Sequence, residues 1–183
     1  TGTRGPAGPI AQDCTVAPFP GVDLAHCTLT DSAWTSGAYA GDDLTGANLT
    51  RADLSGAMLP GSDFYGIQGA GAVFTSATTS NAHFDYAQLR NAVFNAATLD
   101  HDVFYSATLP GASFYNANLQ YADLSGADLT SAVVDQADLS HANLAGTDLT
   151  GASGIPSHIT GATFSTLTIC PDGISWVSGT CGW

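Results

Sequence analysis

The sequence contains no lysine and no glutamate, and its only basic residues besides histidine are Arg4, Arg51 and Arg90. All sixteen acidic residues are therefore aspartates, and the formal net charge is −13. Proteins that bind nucleic acid without sequence preference need lysine and arginine to contact phosphates, and anionic membranes attract the same residues. We therefore predict no direct nucleic-acid binding. The aspartates would form a solvated surface or would suit a basic partner.

Long apolar runs and most strong helix-forming residues are also missing. No segment approaches the roughly 18 apolar residues that a membrane-spanning helix needs, so we predict no membrane insertion. Alanine, glycine, threonine, serine, aspartate and leucine fill most of the chain instead. This composition favours a repetitive, non-helical backbone.

Cysteine is absent between residues 27 and 170, and the four cysteines lie in two pairs near the ends, Cys14 with Cys27 and Cys170 with Cys181. Neither pair has the spacing of a zinc site. Two short-range disulfides fit this arrangement, whereas any other pairing would join opposite ends of the molecule. Paired cysteines indicate an oxidising compartment and hence export to the cell surface or outside. The alternative is free thiols in the cytosol.

A five-residue period runs from Leu24 to Ile169 without insertion or deletion. Of its thirty positions, 27 are apolar or aromatic, and the exceptions are Gly69, Thr79 and Gly154. Two residues before such a position the side chain is nearly always small, and nineteen of these thirty sites are alanine. Aspartate or asparagine often stands between the two.

A period of five matches neither regular element. On an α-helix the large residues would spiral around the axis, and on a strand they would alternate between faces. The pattern instead indicates a chain that turns a corner every five residues, with one large and one small side chain pointing inward on each side.

Segments such as Ala52-Asp-Leu-Ser-Gly56 and Ala122-Asp-Leu-Ser-Gly126 resemble the motif of the pentapeptide-repeat family. The resemblance covers residues 22–171, most of the chain. It implies an all-β fold, a right-handed quadrilateral β-helix with four pentapeptides per coil. The strict alternation of phenylalanine and leucine from Phe84 to Phe114 agrees with four sides, because phenylalanines twenty residues apart would stack on two opposite sides. Thirty units then give about 7.5 coils.

The ends differ from the repeat and suggest four segments. Residues 1–9 read as three Gly-X-Y triplets, which resemble the end of a collagen-like stalk but are too few for a triple helix, so we predict a flexible leader. We predict an N-terminal cap over residues 10–23, the β-helix over 24–169, and a disulfide-closed C-terminal cap over 170–183. Exported members of the family resemble this last segment, with a Cys-Pro-Asp-Gly turn and a later cysteine.

The search for chemistry favours binding over catalysis. No nucleophile–base pair, phosphate-binding loop or zinc motif is present, so we predict no catalytic, cofactor or metal site and no enzyme. His101, Tyr121 and His141 fall in one outward column, too widely spaced for two imidazoles to share a metal. The candidate partner contacts are the outward tyrosines, whose rings can anchor a protein or a glycan: Tyr65, Tyr86, Tyr105, Tyr115 and Tyr121.

Two functions follow from these features. The first is an exported structural or protein-interaction rod that binds a protein partner or itself, as a filament or on a collagen-like stalk. The second follows from the family resemblance, because some intracellular members mimic DNA, bind DNA gyrase and protect it from inhibitors. The net charge suits the second function, and the terminal cysteines favour the first.

Overall fold

A computed structural model describes residues 20–173 and Cys181. The predicted leader at 1–9, most of the cap at 10–23 and the greater part of the C-terminal cap lie outside these residues. No helix within the described part is long and apolar enough to cross a membrane.

Parallel bridges, each one residue long, connect successive coils from Asp23 to Ile169. Of the 26 bridges, 25 join residues twenty positions apart, as in Asp23 with Asp43 and Thr28 with Asn48. The bridges form four columns that alternate every five residues along the chain. The described part of the chain is therefore a β-helix with four sides and four corners per coil, as the sequence predicted.

Each repeat places its five backbone amides in a fixed way, which the unit 43–47 illustrates. The amides of Asp43, Leu44 and Gly46 donate to carbonyl oxygens of the neighbouring coils, at 2.9, 2.7 and 2.8 Å. The Ala47 amide donates across the corner to the Leu44 carbonyl at 2.9 Å. The remaining amide, that of Thr45, donates to the Asp43 side-chain oxygen Oδ1 at 3.0 Å.

This side-chain cap explains why aspartate or asparagine precedes the large inward residue. A carboxylate or amide oxygen two residues before an amide is the usual acceptor of an Asx turn. The sequence interpretation of the aspartates as a solvated surface missed this structural role. Eleven corners have the same cap, and the donating residues are Ala25, Thr45, Thr50, Ser55, Tyr65, Gln120, Ser125, Thr130, Ser140, Ala145 and Thr150.

The second corner residue has a left-handed backbone at most corners. Glycine occupies many of these sites, for example Gly46 at φ 64° and Gly126 at φ 66°. Sixteen residues other than glycine also have positive φ, among them Tyr86 at 56° and Tyr121 at 59°. A left-handed residue with a Cβ costs roughly 1–2 kcal/mol, which the surrounding hydrogen bonds must offset.

Two stacks of phenylalanine rings fill the middle of the tube. Phe64, Phe84 and Phe104 form one stack, with successive ring centroids 4.4 and 4.8 Å apart. The second stack has centroid distances of 4.8 and 5.1 Å, and it contains Phe74, Phe94 and Phe114. Rings of the two stacks meet edge to face. All six rings are fully buried, which confirms the predicted stacking on two opposite sides and fills the interior.

At two corners a buried aspartate of the following coil accepts the hydrogen bond that a backbone carbonyl accepts at most other corners. At most corners the inward amide donates to the carbonyl three residues earlier, but at Val22 and Ala82 it donates instead to Oδ1 of Asp42 and Asp102, at 3.1 and 2.9 Å. Both carboxyls are inaccessible to solvent. Asp42 and Asp102 stand where the repeat usually has alanine, and each is held in a hydrogen-bonded corner.

Burial raises the pKa of both carboxyls, to about 6 for Asp42 and about 7 for Asp102. Hydrogen bonds from Thr79 and the Ala82 amide act in the opposite direction at Asp102, and the nearby Asp100 carboxylate raises its pKa further. The Thr79 hydroxyl lies 2.5 Å from Oδ2 of Asp102 and 3.4 Å from a carbonyl oxygen of the next coil. The hydroxyl donates its single proton to the Asp102 carboxyl, the nearer of these two acceptors.

The five-residue register slips by one position near the C-terminal end, where the sequence predicted no insertion. Asp148 pairs with Ile169, a separation of 21 residues instead of twenty. A wider turn at 165–168 causes the slip, with Thr168 N donating to the Ser165 carbonyl at 2.9 Å. Thr168 is buried there, whereas Leu167 is 77% exposed. Beyond the turn, Cys170 and Cys181 form the expected disulfide, with Cα atoms 5.0 Å apart.

Cys27 is also disulfide-bonded. Its predicted partner, Cys14, lies outside the described residues.

We predict that Phe94→Ala lowers the free energy of unfolding by about 3–5 kcal/mol, because it leaves a cavity between two stacked rings. Phe94→Leu is the matched control, since leucine fills the same inward position on the adjacent sides, and it should cost about 1.5 kcal/mol or less. Guanidinium unfolding followed by circular dichroism measures both. Equal losses for the two variants would contradict a close-packed interior.

We also predict that Asp102 makes stability depend on pH. Its pKa is higher in the folded chain than in the unfolded chain, so folding binds a proton and the folded state loses stability as pH rises from about 4 to about 7. Asp102→Asn keeps an acceptor for the Ala82 amide and removes this titration. Relative to the wild type, the free energy of unfolding of the variant should rise across that pH range, by up to about 4 kcal/mol.

Urea unfolding of both proteins at intervals between pH 4 and pH 8 provides this measurement. The difference between the two proteins cancels the contributions of the other titrating groups. A difference that does not change with pH would show that Asp102 is ionised in the fold.

Candidate protein-interaction surface

Three of the predicted contact residues, Tyr65, Tyr86 and Tyr105, form a continuous cluster along one corner. We call this cluster the tyrosine corner. The ring centroids of Tyr65 and Tyr86 are 5.5 Å apart, and those of Tyr86 and Tyr105 are 5.6 Å apart. Both pairs meet edge to face, and the three residues are 43–48% exposed. The tube therefore presents an aromatic ridge that spans three coils.

The electrostatic surroundings of the tyrosine corner are negative. Partial desolvation by its neighbours raises the pKa of Tyr86, and the nearby Tyr105, Tyr65 and Asp85 raise it further. The Asp85 carboxylate also lies 3.5 Å from the His83 ring nitrogen Nδ1. A cation bound at this corner would contact tyrosine rings and lie close to the Asp85 carboxylate.

A second ridge, which we call the histidine corner, contains His101, Tyr121 and His141. Tyr121 stacks between the two imidazoles, with centroid distances of 4.9 and 4.8 Å. The three residues share one column as the sequence predicted, and the intervening tyrosine separates the imidazoles by two coils. Gly161 ends the ridge, because a Cβ there would approach the His141 ring to 2.4 Å.

The side of the tube between these two ridges, which we call the acidic face, carries outward residues twenty positions apart. Its column begins with three aspartates and contains one more near the other end; the order is Asp23, Asp43, Asp63, His83, Val103, Asp123, Asn143 and Thr163. The carboxylates of Asp43, Asp63 and Asp123 also cap corners. The same groups therefore serve the fold and set the charge of this face.

The remaining candidates lie elsewhere. Tyr115 is 44% exposed and occupies a corner that does not border the acidic face. The two described arginines share a further corner, where Arg51 pairs with Asp31 at 2.7 Å. The guanidinium lowers the pKa of Asp31 through this hydrogen bond. Positive charge is thus kept away from the acidic face and both of its ridges.

Sequence reasoning identified the tyrosines but did not predict which of them would cluster. Tyr65 and Tyr105 occupy the first position of their corners and Tyr86 occupies the second, so a search for residues twenty apart does not connect Tyr86 to the other two. Grouping the two residues of each corner and comparing corners twenty residues apart would have found the cluster. The same comparison would have placed Asp85 beside Tyr86.

No group of three or more histidine, cysteine or acidic residues in the described chain is arranged to hold a metal ion. The two imidazoles of the histidine corner flank a phenol, so they do not converge on a common point. The surface offers ring faces, phenol hydroxyls and carboxylates, which are groups suited to recognition of another molecule.

Comparison with known proteins supports the fold. The family described as pentapeptide repeats matches in eight copies over residues 43–68, 103–136 and 135–166. A search of curated proteins finds no match.

Among solved structures, a trypsin-treated form of QnrB1, a plasmid-mediated fluoroquinolone resistance protein, is similar with a TM-score of 0.50 and 15% identity, over 81% of this chain and 89% of that chain. HetL, a pentapeptide repeat protein involved in heterocyst differentiation regulation in the cyanobacterium Nostoc, has 20% identity and a TM-score of 0.40, over 82% and 92% of the two chains. A pentapeptide repeat protein from the Arabidopsis thaliana thylakoid lumen has 22% identity and a TM-score of 0.33, over 88% and 70%.

The repeat motif, the twenty-residue coil and the matching family description agree with one another, and the chain belongs to the pentapeptide-repeat family.

Proposed function

We propose that this protein is an exported, non-enzymatic rod that acts by binding a protein partner or further copies of itself. The observation that carries the proposal is the tyrosine corner, an exposed aromatic ridge on a tube whose interior is filled by stacked rings. The filled interior leaves the outer surface as the place where recognition can occur. Tyrosine is among the residues that contribute most to protein interfaces.

A rigid scaffold favours binding through such a ridge. Hydrogen bonds between coils hold the backbone on either side of each tyrosine, for example from Tyr86 N to the Tyr105 carbonyl at 3.0 Å. The rings pack against one another, so little side-chain entropy remains to be lost on binding. The other predicted contacts, Tyr115 and Tyr121, belong to the proposal as secondary sites.

Export is supported by the cysteines at both ends of the repeat. Cys170–Cys181 closes the chain after the last described coil, and Cys27 is bonded near the first. Disulfides persist in oxidising compartments. We also propose that the β-helix is right-handed and has about 7.5 coils. The rod would assemble into a filament or be attached to a collagen-like stalk.

The second candidate is a DNA mimic that binds DNA gyrase and protects it from inhibitors. The net charge of −13 favours it, as does the fold that the chain shares with QnrB1. The aspartates that cap corners weaken the argument from charge, because their positions follow from the backbone hydrogen bonds of the fold.

Electron microscopy of protein taken from its native source tests the first candidate. We expect filaments or stalk-borne particles in the extracellular or cell-surface fraction, and mass spectrometry of the unreduced protein should find all four cysteines in disulfides. A cytosolic protein with free thiols and no assembly would contradict the proposal.

A gyrase supercoiling assay separates the two candidates. The rod hypothesis predicts no inhibition of supercoiling and no protection against a fluoroquinolone at micromolar protein. Inhibition at submicromolar concentration would favour the DNA mimic. Replacement of Asp43, Asp53 and Asp123 by asparagine is the matched control, since it removes three charges and keeps the acceptors that cap the corners.

A further inference from the structure

The tyrosine corner retains a bulky ring where the backbone favours glycine. Tyr86 has φ 56°, a conformation in which a large side chain is unusual. The equivalent corner residues in the coils on either side are Gly66 and Ser106, and those beyond them are Gly46 and Gly126. Sixteen described residues other than glycine share this backbone conformation, and Tyr86 differs from the rest because its ring contacts a tyrosine on each side.

Tyr86 is also the residue that makes the ridge continuous. Tyr65 and Tyr105 are two coils apart, roughly 10 Å at about 4.8 Å per coil, and only the Tyr86 ring contacts both. Glycine at this position would relieve the backbone and leave two separate rings. The arrangement therefore gives a continuous surface, and its two edge-to-face ring contacts offset part of the cost of the left-handed backbone.

Carboxylates border the ridge on the side of the acidic face. Asp85 precedes Tyr86 and lies close enough to raise the pKa of its phenol. Asp63 caps the Tyr65 amide at 2.9 Å, which holds its carboxylate at the backbone of the first tyrosine. The described arginines lie at another corner, and the basic side chain that lies near the ridge is His83, 3.5 Å from the Asp85 carboxylate.

We propose that the tyrosine corner binds an arginine- or lysine-bearing segment of a partner protein, with the cation against the tyrosine rings and beside Asp63 and Asp85. Ring faces attract cations, and a neighbouring carboxylate adds a charge-assisted hydrogen bond. The net charge of −13 steers a basic segment toward the rod. This inference rests on the proposed function, because it names the chemistry of the partner that the rod would bind.

An NMR titration with a nine-residue Arg-Gly repeat peptide tests this inference. The amides of Tyr65, Tyr86 and Tyr105 should shift, and the same peptide with citrulline in place of arginine should leave them unchanged. Tyr86→Gly should weaken binding about tenfold, while its thermal midpoint stays close to that of the wild type, because relief of the left-handed backbone and loss of two ring contacts act in opposite directions. Ser131→Gly introduces glycine at φ 58° on the corner of the arginines and should bind like the wild type.

Charge is tested separately by Asp63→Asn, which removes a carboxylate and keeps the cap on Tyr65. Its control, Asp53→Asn, makes the same change at a capping residue on the opposite side of the tube. We expect a several-fold loss of affinity for the first variant and less than a twofold loss for the second at 0.15 M salt, where distant charges are screened.

Equal binding by the wild type and Tyr86→Gly would overturn the inference, as would equal losses from Asp63→Asn and Asp53→Asn. So would tyrosine shifts caused by cellohexaose and not by the arginine peptide, which would assign the ridge to a glycan. A third outcome separates the two proposals: Tyr86→Gly loses a partner captured from the native source, while the arginine peptide binds neither protein. This outcome would support the protein-binding rod and would contradict a basic partner.

Discussion

The fold depends on satisfying five backbone amides in every five residues while the chain turns a corner. Three amides pair with neighbouring coils and one crosses the corner, as in the unit 43–47. The fifth does not pair with a carbonyl in this unit, and at eleven corners a preceding aspartate or asparagine accepts it instead. A buried backbone amide without a partner would be costly. At these eleven corners the backbone hydrogen bonds account for the aspartate or asparagine before any question of function arises.

The inward pattern was predictable because it follows directly from packing. A leucine or phenylalanine every fifth residue, with alanine two residues earlier, leaves few ways to bury both, and the buried stacks of Phe64 and Phe74 with their neighbours are the result. The role of the aspartates was available in the sequence as well, since Asp53 and Ser55 fit an Asx turn, but their charge suggested a solvated face first. The slip near Ile169 was hidden because Ile169 matches the large inward position in type, although Leu167 at the preceding small position departs from the repeat.

The candidate surface was only partly predictable for a related reason. Large side chains on the outside have no periodicity imposed by packing, so Tyr65, Tyr86 and Tyr105 do not share one position in the repeat. Their contact depends on the two-residue width of a corner, which only the coil geometry defines. Surface charge carries less information about function than it would in an irregular fold, because aspartates such as Asp43 also cap the corners beside them.

The most direct test of this account is the measurement of scalar couplings across the hydrogen bonds between coils, by NMR of labelled protein. The account predicts a coupling from the Phe94 amide nitrogen to the Ser113 carbonyl carbon, and one from Phe84 to Val103, across hydrogen bonds of 2.7 Å. Each pair is nineteen residues apart, which no helix or short hairpin produces. Couplings to residues four positions earlier, or none at this separation, would contradict the four-sided winding on which the tyrosine corner and the acidic face depend.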